Sequence, residues 1–282
     1  MVPKEKKPVK KVAIVYMVAG LSSRFGGKIK QFAQVGPKGE TLIEVSMQQA
    51  IKAGFKEIIF IVGEKTEIPF KDKFSAGYNE TPIYYANQLL DLTLRDKPWG
   101  TTDALVSAKE VITSSFAVCN GDDLYGENAL KKAREFLEKS EDEKACVAIG
   151  YELGKVLPEK GKTNRGIFKT DKNDNIISIE EVFEIEKNNL KEKNLKEKDL
   201  CSMNLFGLTE KSLELLEKKL ISFKNTHKGD RKSECLLPVE LSNLIKEKKI
   251  TMKLLPTKDS WFGVTNPEDE LVVRAALLNK KE

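Results

Sequence analysis

A chain of 282 residues, 40% apolar and 32% charged, has enough apolar material for one large α/β domain or two small ones. Its net charge of +5 comes from lysines interleaved with glutamates along the whole chain. That pattern excludes a dedicated nucleic-acid binder, which concentrates charge on one element and interleaves aromatics. No apolar run approaches the roughly 18 residues that cross a bilayer, and the basic opening MVPKEKKPVKK has no apolar signal-type region behind it, so no membrane partner is expected. Cys119, Cys146, Cys201 and Cys235 stand far apart without a C-x-x-C spacing. This argues against zinc and for buried, reduced thiols in a cytoplasmic protein.

Residues 1–11 read as a basic tail. Val12–Val18 is an apolar run of strand type that ends at Ala19-Gly20 and empties into a loop of Leu21, Ser22, Ser23, Arg24, Gly26-Gly27, Lys28 and Lys30. Small residues let backbone N–H groups approach phosphate oxygens, and cations neutralise them, so the segment predicts a polyphosphate site. Two common phosphate loops fail on spacing. Gly27-Lys28 is followed by Ile29, and Ser22 stands where a Walker A loop needs its first glycine. A G-x-G-x-x-G fingerprint fails because only Gly20 precedes the Gly26-Gly27 pair.

Thr41–Ala53 predicts a helix with Leu42, Val45, Ser46, Gln49 and Ala50 on one face and Gly54 as its stop. Glu57–Gly63 predicts a buried strand, Lys71–Gly77 a helix end and Ile83–Ala86 a short strand. Lys97-Pro98-Trp99-Gly100-Thr101 opens a helix over Thr101–Val111, and a glycine there allows a flat base or ribose close to the backbone. Ser115–Asn120 predicts a strand ending at Gly121-Asp122-Asp123, where a carboxylate beside a glycine turn suits Mg²⁺. A helix over Glu127–Glu138 and a strand over Lys144–Gly150 follow. Strands separated by helices imply parallel βαβ units with ligands beyond the carboxyl ends of the strands, so the glycine loop and Asp122 should face one pocket.

The second half reads differently. Arg165–Thr170 and Ile176–Ile179 predict a hairpin around the turn 171–175. Asn188–Leu200 carries NLKEK twice and reads as a solvated segment. Ser202–Leu208 and Ile250–Leu255 predict strands, and Glu210–Phe223 and Leu236–Glu247 predict helices. A last helix opens at Asn266-Pro267. The lone histidine, His227, falls in a polar loop, so no histidine-based chemistry is expected.

The pattern A-G-x-x-x-R-(x)n-K after a first strand resembles the signature loop of the sugar-1-phosphate nucleotidyltransferases, the NDP-sugar pyrophosphorylases. The resemblance runs from the first strand to the last helix. RFGG with KQ, KPWGT and WFGVT look like a bacterial subgroup of that family. The resemblance implies an α/β fold: a Rossmann-like, mixed, mostly parallel sheet flanked by helices, with a smaller β-rich acceptor-binding part. Residues 12–282 would form one domain, with a nucleotide-binding half (12–150) and an acceptor-binding half (151–282).

In that family the loop wraps the triphosphate of an NTP, which here would be Ala19, Gly20, Leu21, Ser22 and Ser23. Arg24 matches the loop arginine. Lys30 is the choice for the loop lysine because Gln31-Phe32 follows it, with Lys28 as the rival. Gly100 and Thr101 match the base-recognising P-x-G-T segment, and Gln88 stands where a base-reading glutamine is often found. Asp122 takes the metal-binding role of the G-D motif, with Asp123 as second choice and as an acceptor-side residue. Arg165, Glu181 and Asn204 are the acceptor-side choices by the same resemblance.

Two departures are visible. Gly263 occupies the place of a second metal-binding aspartate, for which Asn266, Thr265 or Asp259 are the substitutes. Val182 follows Glu181 where many members carry a lysine for the sugar phosphate. The implied reaction is Mg²⁺-dependent transfer of a nucleotidyl group from an NTP to a phosphorylated small molecule, with release of pyrophosphate. A cytidylyltransferase of a non-sugar phosphate such as phosphocholine or an alditol phosphate, a glycosyltransferase on a related fold and a non-catalytic nucleotide-binding regulator stand as rivals. The nucleobase, the acceptor and self-association into a homo-oligomer are left open.

Overall fold

In the computed structural model, which describes residues 10–20, 29–264 and 269–279, the first half runs β1 (Ala13–Met17), α1 (Leu42–Lys52), β2 (Ile58–Val62), α2 (Glu67–Phe74), β3 (Gly77–Tyr78), β4 (Thr81–Asn87), α3 (Thr101–Val106), β5 (Phe116–Asn120), β6 (Asp123–Leu124), α4 (Glu127–Lys139) and β7 (Ala145–Glu152). The second half runs α5 (Leu153–Val156), β8 (Thr163–Thr170), β9 (Ile176–Ile185), β10 (Leu200–Leu208), α6 (Glu210–Thr226), α7 (Leu237–Lys246), β11 (Thr251–Pro256), β12 (Phe262–Gly263) and α8 (Asp269–Asn279).

Alternation along the strands sets the centre of the molecule. Ile14 and Tyr16 of β1 belong to one buried cluster, and Ala13 and Val15 belong to another on the opposite face. β2 divides likewise, with Ile58, Phe60 and Val62 against Ile59 and Ile61. A strand apolar on both faces sits in the middle of a sheet covered on both sides. The order is β11-β7-β10-β5-β1-β2-β4-β3. β1 pairs parallel with β2 and β5, β2 with β4, and β7 with β11. The expected mixed, mostly parallel sheet with flanking helices is therefore present.

Its topology adds something the helix–strand alternation did not contain. β7 is not the next parallel neighbour of β5, because β10 enters between them and pairs antiparallel with both. The β8–β9 hairpin then pairs onto β10. Local elements also shift. α3 stops at Val106, well short of Val111. The near-repeat segment is anchored, not merely solvated, since Leu190 and Leu195 are buried in the core cluster. α1 starts as expected, with Thr41 N (2.8 Å) and Oγ1 (2.5 Å) both donating to Glu44. His227 closes α6 by donating its backbone N–H to Phe223 O at 3.0 Å, and it stacks on the Phe223 ring. The described part of the last helix begins at Asp269, so its expected cap at Asn266-Pro267 lies outside the described residues. All four cysteines are free and buried, and no described helix is long and apolar enough to cross a membrane.

Candidate active site

The carboxyl ends of β1 and β5 lie side by side, with Met17 opposite Asn120. The chain leaves β1 through Val18, Ala19 and Gly20. Leu21, Ser22, Ser23, Arg24 and Lys28 lie outside the described residues. Lys30 begins a single 3₁₀ turn, Lys30–Phe32. This turn is pinned by Phe32, whose ring meets Phe70 and Phe74 at centroid distances of 4.9 and 6.3 Å. From there Lys30 Nζ donates to Asp122 Oδ2, an ion pair between side chains that are 20% and 21% exposed. The structure thus brings together Lys30 and Asp122, as expected of two motifs at the carboxyl ends of neighbouring parallel strands.

The adjacent carboxylate is in another environment. Asp123 is buried and accepts from Asn120 Nδ2 at 2.9 Å. The Tyr125 hydroxyl lies 3.1 Å from Asp123 Oδ2 and 2.8 Å from the Met203 carbonyl. Burial, and after it the charge of Asp122, push the Asp123 carboxyl up to about 7, while Asn120, Tyr125 and Lys30 pull it back down. Asp122 is thus the carboxylate open to a ligand, and Asp123 packs beneath it.

Position 263 does face this pair. β12 runs antiparallel to β6 with Gly263 opposite Asp123, and a Cβ on Gly263 would come 2.8 Å from Asp123 Oδ1 and 2.6 Å from the Trp261 ring. As glycine it offers no ligand. Asp259 does not replace it. Its carboxylate accepts from Ala129 N at 2.9 Å and Asn128 Nδ2 at 3.1 Å and so caps α4. Thr265 and Asn266 lie outside the described residues. Among the described residues no three acidic, histidine or cysteine side chains converge on one point. What is present, one accessible carboxylate with a second beneath it, fits a magnesium ion that takes one or two carboxylates and fills its octahedron with phosphate oxygens and water.

On the other side of Ala19 and Gly20 opens a cavity of about 700 Å³, also lined by Gly63, Asn87, Gln88 and Leu89. Gln88 is 8% exposed. Its Nε2 donates to Asp103 Oδ2 at 2.9 Å and to Gly100 O at 3.2 Å. Gly100 has φ +101°, and a Cβ there would come 2.7 Å from Cys235 O, so glycine is required both by conformation and by space. Thr101 points elsewhere: its Oγ1 accepts from Leu237 N at 2.8 Å and satisfies the start of α7. Gly100 and Thr101 therefore join the start of α3 to the segment before α7, and of the three base-side choices Gln88 is the one that lines the cavity.

Asp103, its partner Lys224 and Arg95 carried no readable sequence signal. Asp103 holds Gln88 and in turn accepts from Lys224 Nζ at 2.6 Å. Arg95, 4% exposed, stacks 3.6 Å from the Trp99 ring centre and donates to the carbonyls of Asp230 and Ser233. An Asp in a helix and an Arg in a loop are ordinary until their partners are known.

A second cavity of about 550 Å³ adjoins Gly263 and is lined by Lys155, Lys160, Lys162, Arg165 and Trp261. Arg165 donates to Asn164 O (2.9 Å) and Val156 O (3.3 Å). Burial lowers its guanidinium from the usual value. Its Nε and Trp261 Nε1 are buried without a hydrogen-bond partner among the described residues. Glu181 lies opposite Gly166 in the β8–β9 hairpin. Burial raises its carboxyl, against the lowering effect of Arg165. Asn204 has φ +62° and sits in the irregularity where the β10–β7 register shifts, between Ser202 and Phe206. Asparagine is among the few residues with a side chain that accept that conformation readily. Of the four acceptor-side choices, Arg165 lines this cavity; Asp123, Glu181 and Asn204 do not.

The model of the family described as "Nucleotidyl transferase" matches residues 27–230. A curated relative, the bifunctional protein GlmU of Methanocaldococcus jannaschii, is 28% identical over 182 residues, which is 64% of this chain and 36% of that protein. The chain thus spans about a third of that relative's length. A UDP-glucose pyrophosphorylase complexed with UDP-glucose superposes with a TM-score of 0.66 at 17% identity, over 96% of this chain and 100% of that one. The inositol-1-phosphate CTP transferase of T. maritima superposes with 0.65 at 16% identity, over 98% and 99%. HddC from Yersinia pseudotuberculosis, complexed with GMP-PN, superposes with 0.61 at 18% identity, over 94% and 99%. At these identities the structural likenesses are likenesses of fold.

Proposed function

The chain belongs to the nucleotidyl transferase family, whose members are enzymes, and on that premise we propose that it transfers a nucleotidyl group from an NTP to a sugar-1-phosphate or a similar phosphorylated acceptor, releasing pyrophosphate. The observation that carries this reading is the meeting of Lys30 with Asp122 at the ends of β1 and β5, where Ala19 and Gly20 after β1 line the cavity that Gln88 also lines and Gly263, opposite Asp123, lines the cavity of Arg165. A phosphate oxygen of the acceptor attacks the α-phosphorus in line. The bond from that phosphorus to the bridging oxygen breaks, and pyrophosphate carries away the electron pair. A phosphate monoester is already anionic near neutral pH, so no protein base is required, and catalysis consists of positioning and charge neutralisation. The Lys30 ammonium can exchange its carboxylate partner for a phosphate oxygen, and Arg24 would act beside it on the departing pyrophosphate. Asp122 is the residue we assign to Mg²⁺, which when bound supplies charge neutralisation on the reacting phosphates.

The acceptor side favours keeping a second reading. Val182 stands where the sugar-phosphate lysine is expected, and the cations available instead are Lys155, Lys160, Lys162 and Arg165. A cytidylyltransferase of a non-sugar phosphate uses the same nucleotide side. The test is pyrophosphate release with the four common NTPs against hexose-1-phosphates, inositol phosphate, phosphocholine and an alditol phosphate, with and without Mg²⁺. Metal-dependent release with one pair supports transfer and names the acceptor. A rise in melting temperature with NTP and no release with any acceptor leaves a nucleotide-binding regulator. No response to any NTP overturns the assignment.

A further inference from the structure

The hydrogen-bond inventory of Gln88 is complete enough to say what it can offer a ligand. A primary amide has two N–H donors and one carbonyl acceptor. Both donors of Gln88 are committed, one to Asp103 Oδ2 and one to Gly100 O. Both partners are pure acceptors, so nitrogen and oxygen cannot exchange places in this amide without setting oxygen against oxygen. Asp103 is itself held from the other side by Lys224 of α6, and the Lys224 Nζ stands 5.9 Å from the Trp99 ring centre. Gln88 lines the cavity that begins at Ala19 and Gly20, and the group it has left for an occupant is the carbonyl oxygen.

We propose that Asp103, tethered by Lys224, is a positioning residue that locks the Gln88 amide so that it presents a nucleobase with an acceptor only. The site then favours a base that places an N–H at that point and disfavours one that places a lone pair there, since a lone pair would face an oxygen with no proton between them. The inference rests on the nucleotide-binding reading of the cavity and adds to it the device that sets base choice.

The test compares wild type with Asp103→Leu and with the double variant Asp103→Asn/Lys224→Met. The leucine removes the acceptor and frees the amide to turn. In the double variant an amide oxygen is free to face Nε2 again. Affinities for ATP, CTP, GTP and UTP, and for inorganic tripolyphosphate, are measured by calorimetry with Mg²⁺. The wild-type ratio between its best and worst NTP is expected to fall about tenfold in Asp103→Leu. It is expected to persist in the double variant, and tripolyphosphate affinity is expected to be unchanged in both. If the leucine chain does not fold, Asp103→Ser, too short to reach Nε2, takes its place. A ratio kept within about twofold without the carboxylate, or tripolyphosphate affinity falling in step with NTP affinity, overturns the positioning role. A wild-type chain that binds none of the four NTPs overturns the nucleotide reading instead, and this inference with it.

Discussion

At the scale of single residues, the site rests on an ion pair that is unusual in being neither buried nor free. Lys30 and Asp122 are each about one-fifth exposed (20% and 21%), so their attraction is partly screened and either partner can be drawn to a stronger ligand. On the proposed function a triphosphate would be such a ligand for Lys30. Replacing Lys30 with alanine should therefore lower turnover by about 10²–10³, as loss of one preorganised charge donor does elsewhere, with folding intact. Pyrophosphate release and a melting curve measured side by side check this, and near-normal release would remove Lys30 from the chemistry. Gly263 is a second residue-scale case. A methyl group there meets the rigid Trp261 ring at 2.6 Å and Asp123 at 2.8 Å. Gly263→Ala should therefore destabilise by about 1–3 kcal/mol, the usual cost of overpacking, readable as a shift in urea midpoint. Asp122 could be singled out from a short motif at a strand end and Lys30 from the Gln31-Phe32 that follows it, and the ion pair joins these residues across 92 positions. Asp103 could not be, since its partners lie 15 and 121 positions away and neither spacing has a local signature.

At the scale of elements, the KPWGT segment shows how a motif can be legible in place and not in use. Gly100 opens α3 as its spacing suggested, yet the hydroxyl of Thr101 serves the first turn of α7. Thr101→Val should leave α3 intact and cost about 1 kcal/mol through the lost cap. Gly100→Ala should cost more, because it adds positive-φ strain to a 2.7 Å approach on Cys235 O. Thermal unfolding of both variants orders the two effects, and an alanine variant as stable as wild type would refute the close approach. The start of α1 gives a pH dependence. Burial raises the Glu44 carboxyl, but hydrogen bonds from Thr41 and the charge of Lys73 outweigh it, so it lies below its ordinary value of 4.5. A group depressed in the folded state contributes stability above its unfolded pKa and loses it as the pH falls through the folded one. Between about pH 5 and about pH 3, wild type should therefore lose more stability than Glu44→Gln. Parallel denaturant curves for the two chains at those pH values would show it; equal losses would mean that the Thr41–Glu44 box contributes no pH-linked stability.

At the scale of the whole molecule, the alternation of strands and helices announced a parallel sheet flanked by helices, but not the order of its strands. Strand type is written in neighbouring residues; strand pairing is settled by segments far apart in the chain. β10 is the consequence. It carries Leu200–Leu208 from the second half of the chain into the gap between β5 and β7, with Phe206 opposite Val118 on one side and Ala148 on the other. Arg95 and Arg231 add a second weld. Arg95 donates to the Asp230 and Ser233 carbonyls, and Arg231 donates to Asp96 at 2.8 Å and to the Thr93 carbonyl at 2.9 Å, fixing the rim of the Gln88 cavity to the segment before α7. A fragment ending at residue 150 would lose the strand that pairs with the inner edges of β5 and β7, and would expose unpaired backbone and the apolar faces of both. We therefore expect the fragment 1–150 to show no cooperative thermal transition and no NTP-dependent stabilisation, while the full chain unfolds in one step. A fragment that melts sharply and responds to NTP as the full chain does would mean that the first half folds alone, and that β10 is an addition to its sheet instead of part of its core.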